Sequence, residues 1–401
     1  MMIREVAITI YLFIFKIFFT LLKLFPIKNK IAFVISFGDN SKYVYEEIRK
    51  KNLSYEVIIL YKGTSNAYFA EYSELKTIPF ETLNTINMIR AIYHLATSKF
   101  ILVDNYFGFL SAITFKKEAE CIQLWHASGA LKKFGLEDKS ITLRSKRAQN
   151  RFNKVYKNFH KIIVGSDVMA DIFMRSFNLS ETNLLKTGIP RTDFFYNTEQ
   201  HKIIIGELLD ENPEISNKKR ILYAPTYRDN QLGDFRIALD LDQMVKELGE
   251  DHVLLLRLHP AVKSNINYTA YYPGFLYDYS SSKYDINELL LLSDYLITDY
   301  SSLPYEYTLL NKPIIFFPYD IEQYKEERGI IDNYENMVPG PVLKRTADIV
   351  EIIKSREFDN ALLQEYSEKW NKYSKGNSSE NLVLYMVNKD LTREKYITSE
   401  E

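Results

Sequence analysis

Two histidines and a pair of serines stand where apolar runs of this chain give out, and all are residue types that handle phosphate chemistry. The run Tyr295-Leu296-Ile297-Thr298-Asp299-Tyr300-Ser301-Ser302 passes from a strand-like segment into small polar residues, and an aromatic-rich helical stretch follows. A helix that begins where a buried strand ends offers unpaired backbone N–H groups and the positive end of its dipole. Ser301 and Ser302 add hydroxyl donors, so the ligand to expect is an anion. Glu306 would lie one turn further along the same face, where a carboxylate can accept bonds from ribose hydroxyls, and the set points to a nucleotide diphosphate. The plainer alternative is that Thr298 and Ser301 only cap a helix.

A second run, Val253-Leu254-Leu255-Leu256-Arg257-Leu258-His259-Pro260, reads as a buried strand ending in a cation and a histidine, and alternation sends Arg257 and His259 to one side. His126 follows the apolar segment that begins at Cys121. An imidazole near its ordinary pKa can take the proton of an attacking hydroxyl, a role typically giving about 10²- to 10⁴-fold. A histidine after an apolar strand is otherwise a satisfied core residue, which is the reading for His94, His160, His201 and His252. Arg228 is a candidate clamp for an anion, and Asp299 a carboxylate able to orient one of the cations.

Composition allows sizeable cores: 401 residues, 46% hydrophobic and 14% aromatic, more than one ordinary domain holds. The formal net charge of -1 gives no global reason for a nucleic-acid partner. Charge is concentrated locally, with ten Lys or Arg against Glu137 and Asp138 between Leu131 and Lys161. Such a block is a solvated surface, or faces anionic lipid or a diphosphate, with Lys132 and Lys133 the candidates for the latter. The single cysteine, Cys121, excludes an intrachain disulfide, and the six histidines show no zinc-ligand spacing. No DxD-type carboxylate pair sits at a strand end, so no catalytic metal is required, and magnesium would enter only with a donor diphosphate.

Val6 to Phe25 is apolar over about a bilayer's length of helix, with Lys16 in mid-span and Lys23 near its end. Thr9, Lys16, Thr20 and Lys23 fall on one narrow polar stripe, which suits a helix lying in the membrane interface with its lysines reaching towards headgroups. A true span and a buried amphipathic helix are the alternatives. Five basic residues against Glu5 between Met1 and Lys30 favour an anionic cytoplasmic leaflet, and no small-x-small site precedes Pro26 to suggest a cleaved signal. The expected location is the cytoplasmic face of the cell membrane, peripheral or monotopic.

Beyond this helix, β runs at Ile31–Ser36, Glu56–Tyr61, Phe100–Val103, Cys121–Trp125 and Ile162–Val164 alternate with helical patterns. Gly38-Asp39-Asn40 reads as a turn. A largely polar stretch from Asn197 through Asn217 separates these from runs at Ile221–Tyr223, Val253–Leu256, Tyr295–Ile297 and Ile314–Phe317. Asp285-Ile286-Asn287-Glu288 resembles a capping box. The expectation is an α/β protein with parallel sheets and ligands at the carboxyl ends of the strands. Its parts are a membrane-associated helix over 1–28, a first Rossmann-like domain over 29–200, a second over 201–375, and a C-terminal helix or tail over 376–401.

Read in order, the strand ends carry Trp125-His126-Ala127-Ser128-Gly129-Ala130-Leu131-Lys132-Lys133-Phe134-Gly135, then Thr187-Gly188-Ile189-Pro190-Arg191-Thr192-Asp193, then Ala224-Pro225-Thr226-Tyr227-Arg228-Asp229, Arg257-Leu258-His259 and Thr298-Asp299-Tyr300-Ser301-Ser302. From about Ile31 to Arg328 the series resembles the CDP-glycerol glycerophosphotransferase family, the primases and polymerases that build wall teichoic acid on a lipid carrier. The resemblance implies a GT-B fold of two Rossmann-like domains facing a cleft. It also implies a CDP-glycerol donor held mainly by the second half and a polyprenyl-diphosphate-linked disaccharide acceptor brought from the membrane. His126 and His259 would be catalytic, with Thr226, Arg228, Arg257, Thr298, Asp299, Ser301, Ser302 and Glu306 on the donor. Family polymerases typically show Trp-His-Gly-Thr where this chain has Trp125-His126-Ala127-Ser128. The short size, the lack of any large extra domain and the run from Ala127 to Gly135 look more like the priming enzymes, while the departure at Ala127 keeps the histidine and leaves poly(glycerol phosphate) polymerases and CDP-ribitol users open. A nucleotide-sugar glycosyltransferase of the same fold and a non-catalytic membrane scaffold are the competing classes.

Overall fold

The structure, a computed structural model, describes residues 2–131, 133–228, 233–259, 262, 264–281, 283–328 and 334–400. Apolar runs that do not alternate demand cover on both faces, and the chain meets this demand with two parallel sheets. The first contains β1 (Lys28–Ile35), β2 (Glu56–Tyr61), β3 (Lys76–Pro79), β4 (Ser98–Val103), β5 (Glu120–Gln123), β6 (Lys161–Ile163) and β7 (Leu184–Leu185), in the order β3-β2-β1-β4-β5-β6-β7. The second contains β8 (Lys219–Tyr223), β9 (His252–Leu256), β10 (Leu276–Asp278), β11 (Tyr295–Thr298) and β12 (Ile314–Phe316), in the order β10-β9-β8-β11-β12. In the first sheet Phe33 of β1 pairs with Leu102 of β4, and in the second Tyr223 of β8 pairs with Ile297 of β11.

The chain divides into two compact units. One comprises Met1–Ser128, Lys133–Phe194 and Asn371–Glu401, and the other Gly129–Lys132 and Phe195–Trp370. The core of the first unit gathers Ile31, Phe33, Ile35, Leu102 and Ile122 from the strands with Val44 and Ile48 from the helix α2 (Asp39–Lys50). Leu382, Val383 and Met386 of the C-terminal helix Ser378–Glu400 complete that core. Each such side chain contributes roughly 1.5–3 kcal/mol when fully buried. Asp193 accepts the backbone N–H groups of Ser378 and Ser379, both at 2.8 Å, and so caps that helix. The core of the second unit is built from Ile221, Leu254, Leu256, Ile297 and Ile315 with Met244, Leu248, Ile349 and Ile353 from its helices.

The N-terminal helix α1 (Met2–Leu22) is long and apolar enough to cross a membrane, but one side of it is docked on the first unit. Phe15 packs on Phe80 and Phe109, and Phe19 on Phe115. Lys23, expected to reach for headgroups, instead donates to the carbonyl of Thr114 at 2.7 Å. The opposite side presents Val6, Ile10, Phe13, Ile14, Ile17 and Leu21.

Other differences from the sequence reading have local causes. β3, β7 and β10 are too short, or too polar at their ends, to show a period. Thr198–Glu211 of the polar stretch is a helix capped by Asn197, whose side chain accepts the Gln200 N–H. Asp39 and Asn40 open α2 rather than forming a free turn, after Gly38 at φ +96°. Asp285 caps its helix through the Asn287 N–H at 2.7 Å.

Candidate functional site

In the first unit the site starts at Asp104, the residue after β4. Its carboxylate accepts the backbone N–H groups of Ser36 at 3.0 Å, Phe37 at 2.8 Å and Gly38 at 2.9 Å, all just beyond the neighbouring β1. Gly38 permits this arrangement. Its φ is +96°, and a Cβ there would stand 2.8 Å from the Tyr68 ring. Asp104 is fully buried, and burial pushes its carboxyl up to about 6 even though the three N–H groups favour the charged form.

His126 is placed by groups from four segments. Trp125 precedes it at φ +54°, a left-handed conformation that a bulky aromatic holds only when its surroundings compel it. The compulsion is visible: Gln123 Oε1 accepts the Trp125 N–H at 2.8 Å, and Asn40 Nδ2 donates to the Trp125 carbonyl at 3.0 Å. Arg191 Nη1 donates to the His126 carbonyl at 2.9 Å and also pairs with Asp39, while the Arg191 backbone N–H reaches Asn40 Oδ1 at 3.0 Å. The imidazole stacks on Phe37 with centroids 4.1 Å apart and planes 14° apart.

The remaining contact decides the chemistry. His126 Nδ1 lies 3.2 Å from the Asp104 carbonyl oxygen, which can only accept, so Nδ1 carries the hydrogen and Nε2 holds the lone pair. Burial, with Arg191 adding to it, lowers the imidazole pKa to about 4. The ring is therefore a neutral, oriented acceptor, weaker than the near-ordinary imidazole expected from the sequence because burial disfavours its charged form.

In the second unit Asp299, the residue after β11, occupies the corresponding position. Asp299 Oδ1 accepts the Thr226 N–H at 2.8 Å, beyond the neighbouring β8, and the Tyr300 N–H at 2.6 Å. Its other oxygen receives Arg228 Nη2 at 3.0 Å. Arg228 also forks onto Asp320, with Nε to Oδ2 at 2.7 Å and Nη2 to Oδ1 at 2.8 Å, and lies over the rings of Tyr300 and Tyr324. Burial opposes its charge, but Asp320 and Asp299 more than offset that and hold its pKa above the ordinary value. The guanidinium thus ties the loop together.

Around this pair stand the other residues expected on a donor. Thr298 is fully buried and donates through Oγ1 to the Ala224 carbonyl at 2.7 Å. Ser301 Oγ accepts the Leu303 N–H at 3.2 Å, whereas Ser302 makes no capping bond through its side chain. Thr226 Oγ1 is buried with no hydrogen-bond partner among the described residues. Glu306 is only 2% exposed, in the short helix Leu303–Tyr307. Arg257 Nη1 donates to the carbonyls of Tyr279 and Ser281, both at 2.7 Å. Burial and then Arg257 lower the pKa of His259, so near neutral pH it donates through one N–H rather than as a cation.

Thr226, Arg228, Thr298 and Asp299 therefore form one connected cluster, with Arg257 and His259 after the adjacent β9. Lys133 is exposed, and Lys132 lies outside the described residues. Among the described residues no three His, Cys, Asp or Glu side chains gather as a metal set. Sequence reasoning missed Asp104, Phe37, Asn40 and Asp320, and it gave Arg191 no role. The available signal was the Asp that directly follows an apolar strand, present both at Val103-Asp104 and at Thr298-Asp299.

Comparison with known proteins bears on the family and the fold. Residues 17–388 match the family model described as CDP-Glycerol:Poly(glycerophosphate) glycerophosphotransferase. The chain is 37% identical over 388 residues to the teichoic acid glycerol-phosphate primase of Bacillus subtilis (strain 168), covering 97% of this chain and 99% of that one. It is 32% identical to the teichoic acid poly(ribitol-phosphate) polymerase of Bacillus spizizenii (strain ATCC 23059 / NRRL B-14472 / W23), covering 96% of this chain but 60% of the polymerase. The solved structure of the wall teichoic acid polymerase TagF superposes with a TM-score of 0.78 at 25% identity, covering 98% of this chain and 97% of that one.

Proposed function

The chain belongs to the CDP-glycerol:poly(glycerophosphate) glycerophosphotransferase family, and from that premise we propose that it primes a teichoic acid chain. One glycerol phosphate passes from CDP-glycerol to a polyprenyl-diphosphate-linked disaccharide at the cytoplasmic face of the membrane, and CMP is released. The acceptor hydroxyl attacks the β-phosphorus, the bond from that phosphorus to the bridging oxygen breaks, and CMP leaves with the electron pair. His126 Nε2 takes the hydroxyl proton as the new P–O bond forms.

The donor falls to the second unit in this reading. Thr226, Ser301 and Ser302 supply hydroxyls, His259 donates an N–H to the diphosphate, and Glu306 serves the ribose. Arg228 and Asp299 fix the loop carrying Thr226. Arg257, anchored on two carbonyls, sets the local positive field, and any Mg²⁺ travels with the donor diphosphate. The GT-B cleft expected from the sequence, an acceptor diphosphate near Lys132 and Lys133, and attachment through α1 belong to the same proposal.

The observation that carries it is the tautomer of His126, fixed by the Asp104 carbonyl with Nε2 left as a base. An identity of 37% to a primase against 32% to a polymerase supports one addition over many. The test is the product mass after incubation with CDP-glycerol and a short-chain soluble analogue of the diphospholipid disaccharide. A single glycerol phosphate added and then arrest is the expected result. A ladder would make the protein a polymerase, and transfer only from CDP-ribitol would change the donor.

A further inference from the structure

A cavity of about 390 Å³ opens between α1, the basic helix Lys146–Lys157 and the segment of Ser111 and Ala112, and no residue placed at the candidate site lines it. Its walls combine Leu12, Phe13 and Lys16 of α1 with Arg147, Arg151 and Lys154 of the basic helix. The last three fall at i, i+4 and i+7, one face of that helix. Arg151 is already committed, bonding both oxygens of Glu5 at 3.2 and 3.1 Å and so pinning the two helices together. Lys16, Arg147 and Lys154 form no ion pair and no side-chain hydrogen bond among the described residues. Phe13 is 63% exposed and continues into the outward apolar side of α1, with Ile10, Ile14 and Ile17.

We propose that this cavity seats the phosphate of an anionic phospholipid, whose acyl chains run along the outward side of α1. Unpaired cations around an opening of this size call for an anion able to take several charge-assisted hydrogen bonds, and Arg147 offers the fork that a phosphodiester fits. The adjoining apolar wall gives a free phosphate nothing, but it gives a lipid a continuous surface. The inference rests on the reading of α1 as an interfacial helix.

The test uses the purified full-length chain and sedimentation with vesicles of phosphatidylcholine, alone or with about a third phosphatidylglycerol. Arg147→Gln with Lys154→Gln removes two cavity charges from exposed positions. Lys146→Gln with Lys157→Gln removes two from the same helix outside the cavity, so diffuse attraction falls equally in both. The cavity pair should lose at least about tenfold more affinity for the anionic vesicles than the control pair. Equal losses would overturn the site in favour of diffuse charge. Release of the bound protein by millimolar inorganic phosphate at constant ionic strength, with the same dependence on Arg147 and Lys154, would make it a site for free phosphate and overturn the lipid. Failure of the unaltered chain to bind any vesicle would overturn the site together with the interfacial reading. Unaltered binding to pure phosphatidylcholine, equal to that on anionic vesicles, would overturn the site alone. Glycerol phosphate transfer to the soluble acceptor should be unchanged in both pairs, which separates this question from the proposed reaction.

Discussion

Asp104 and Asp299 are the same backbone device used twice with opposite electrical content. Each directly follows a strand, and each gathers N–H groups from the segment beyond the neighbouring strand: Ser36 to Gly38 in one case and Thr226 in the other. In the first unit the carboxylate meets N–H dipoles and the Ser36 hydroxyl, and a neutral imidazole is fixed on the same residue's carbonyl. In the second it meets a buried guanidinium shared with Asp320. One copy holds a place for a proton, and the other holds charge still. A parallel sheet thus supplies a rigid loop anchor at its strand ends, and the side chain brought to the anchor decides the chemistry.

The largest expected effect lies on the proton side of this contrast. His126→Ala should lower single-turnover transfer by about 10²- to 10⁴-fold while CDP-glycerol affinity, measured by calorimetry, stays within about twofold. Equal loss of affinity would mean that the ring binds donor rather than taking a proton. Next comes the charge side. Arg228→Met strands the buried Asp299 and the partly buried Asp320 without their cation and should cost about 3–5 kcal/mol in urea unfolding. Asp104→Asn, which keeps one accepting oxygen for the N–H groups, should cost about 1–3 kcal/mol. If the two substitutions cost the same, the electrical contrast is wrong.

The same contrast should show in pH dependence. His126, at about 4 when folded against an ordinary 6.5, binds fewer protons than in the unfolded chain, so its contribution is full above pH 6.5 and is lost as pH falls towards 4. Asp104, at about 6 against 3.8, acts in the other direction: its penalty is full above pH 6 and relieved as pH falls to 3.8. His126→Asn removes the first and leaves the second. Its stability relative to the unaltered protein should therefore rise between pH 6.5 and 4, and parallel denaturation midpoints across that window would refute the assignment. The smallest effect belongs to Thr226→Val. The hydroxyl has no hydrogen-bond partner among the described residues, so melting should be nearly unchanged while donor affinity falls by about fivefold, one neutral hydrogen bond.

The strands were legible because parallel strands covered on both faces must be written as continuous apolar runs, and β1, β4, β9 and β11 all are. His126, His259 and the Asp299 loop were legible because chemistry gathers where such runs stop. Asp104 escaped because its function is exerted through backbone N–H groups about seventy residues away in sequence, contacts that pleat and register create and composition does not record. Asn40 and Arg191 escaped for the same reason, since both act on carbonyls of the segment 124–126. The left-handed turn at Trp125 had no signal, because the usual markers of positive φ are glycine and asparagine.

The last thirty-one residues, 371–401, belong to the unit with which the chain begins. During synthesis the first sheet therefore emerges early but waits for Leu382, Val383 and Met386 to close its core, while 195–370 holds all but four of its own residues and can fold in the interval. The half that supplies His126 therefore closes its core only after residues 195–370 have been made.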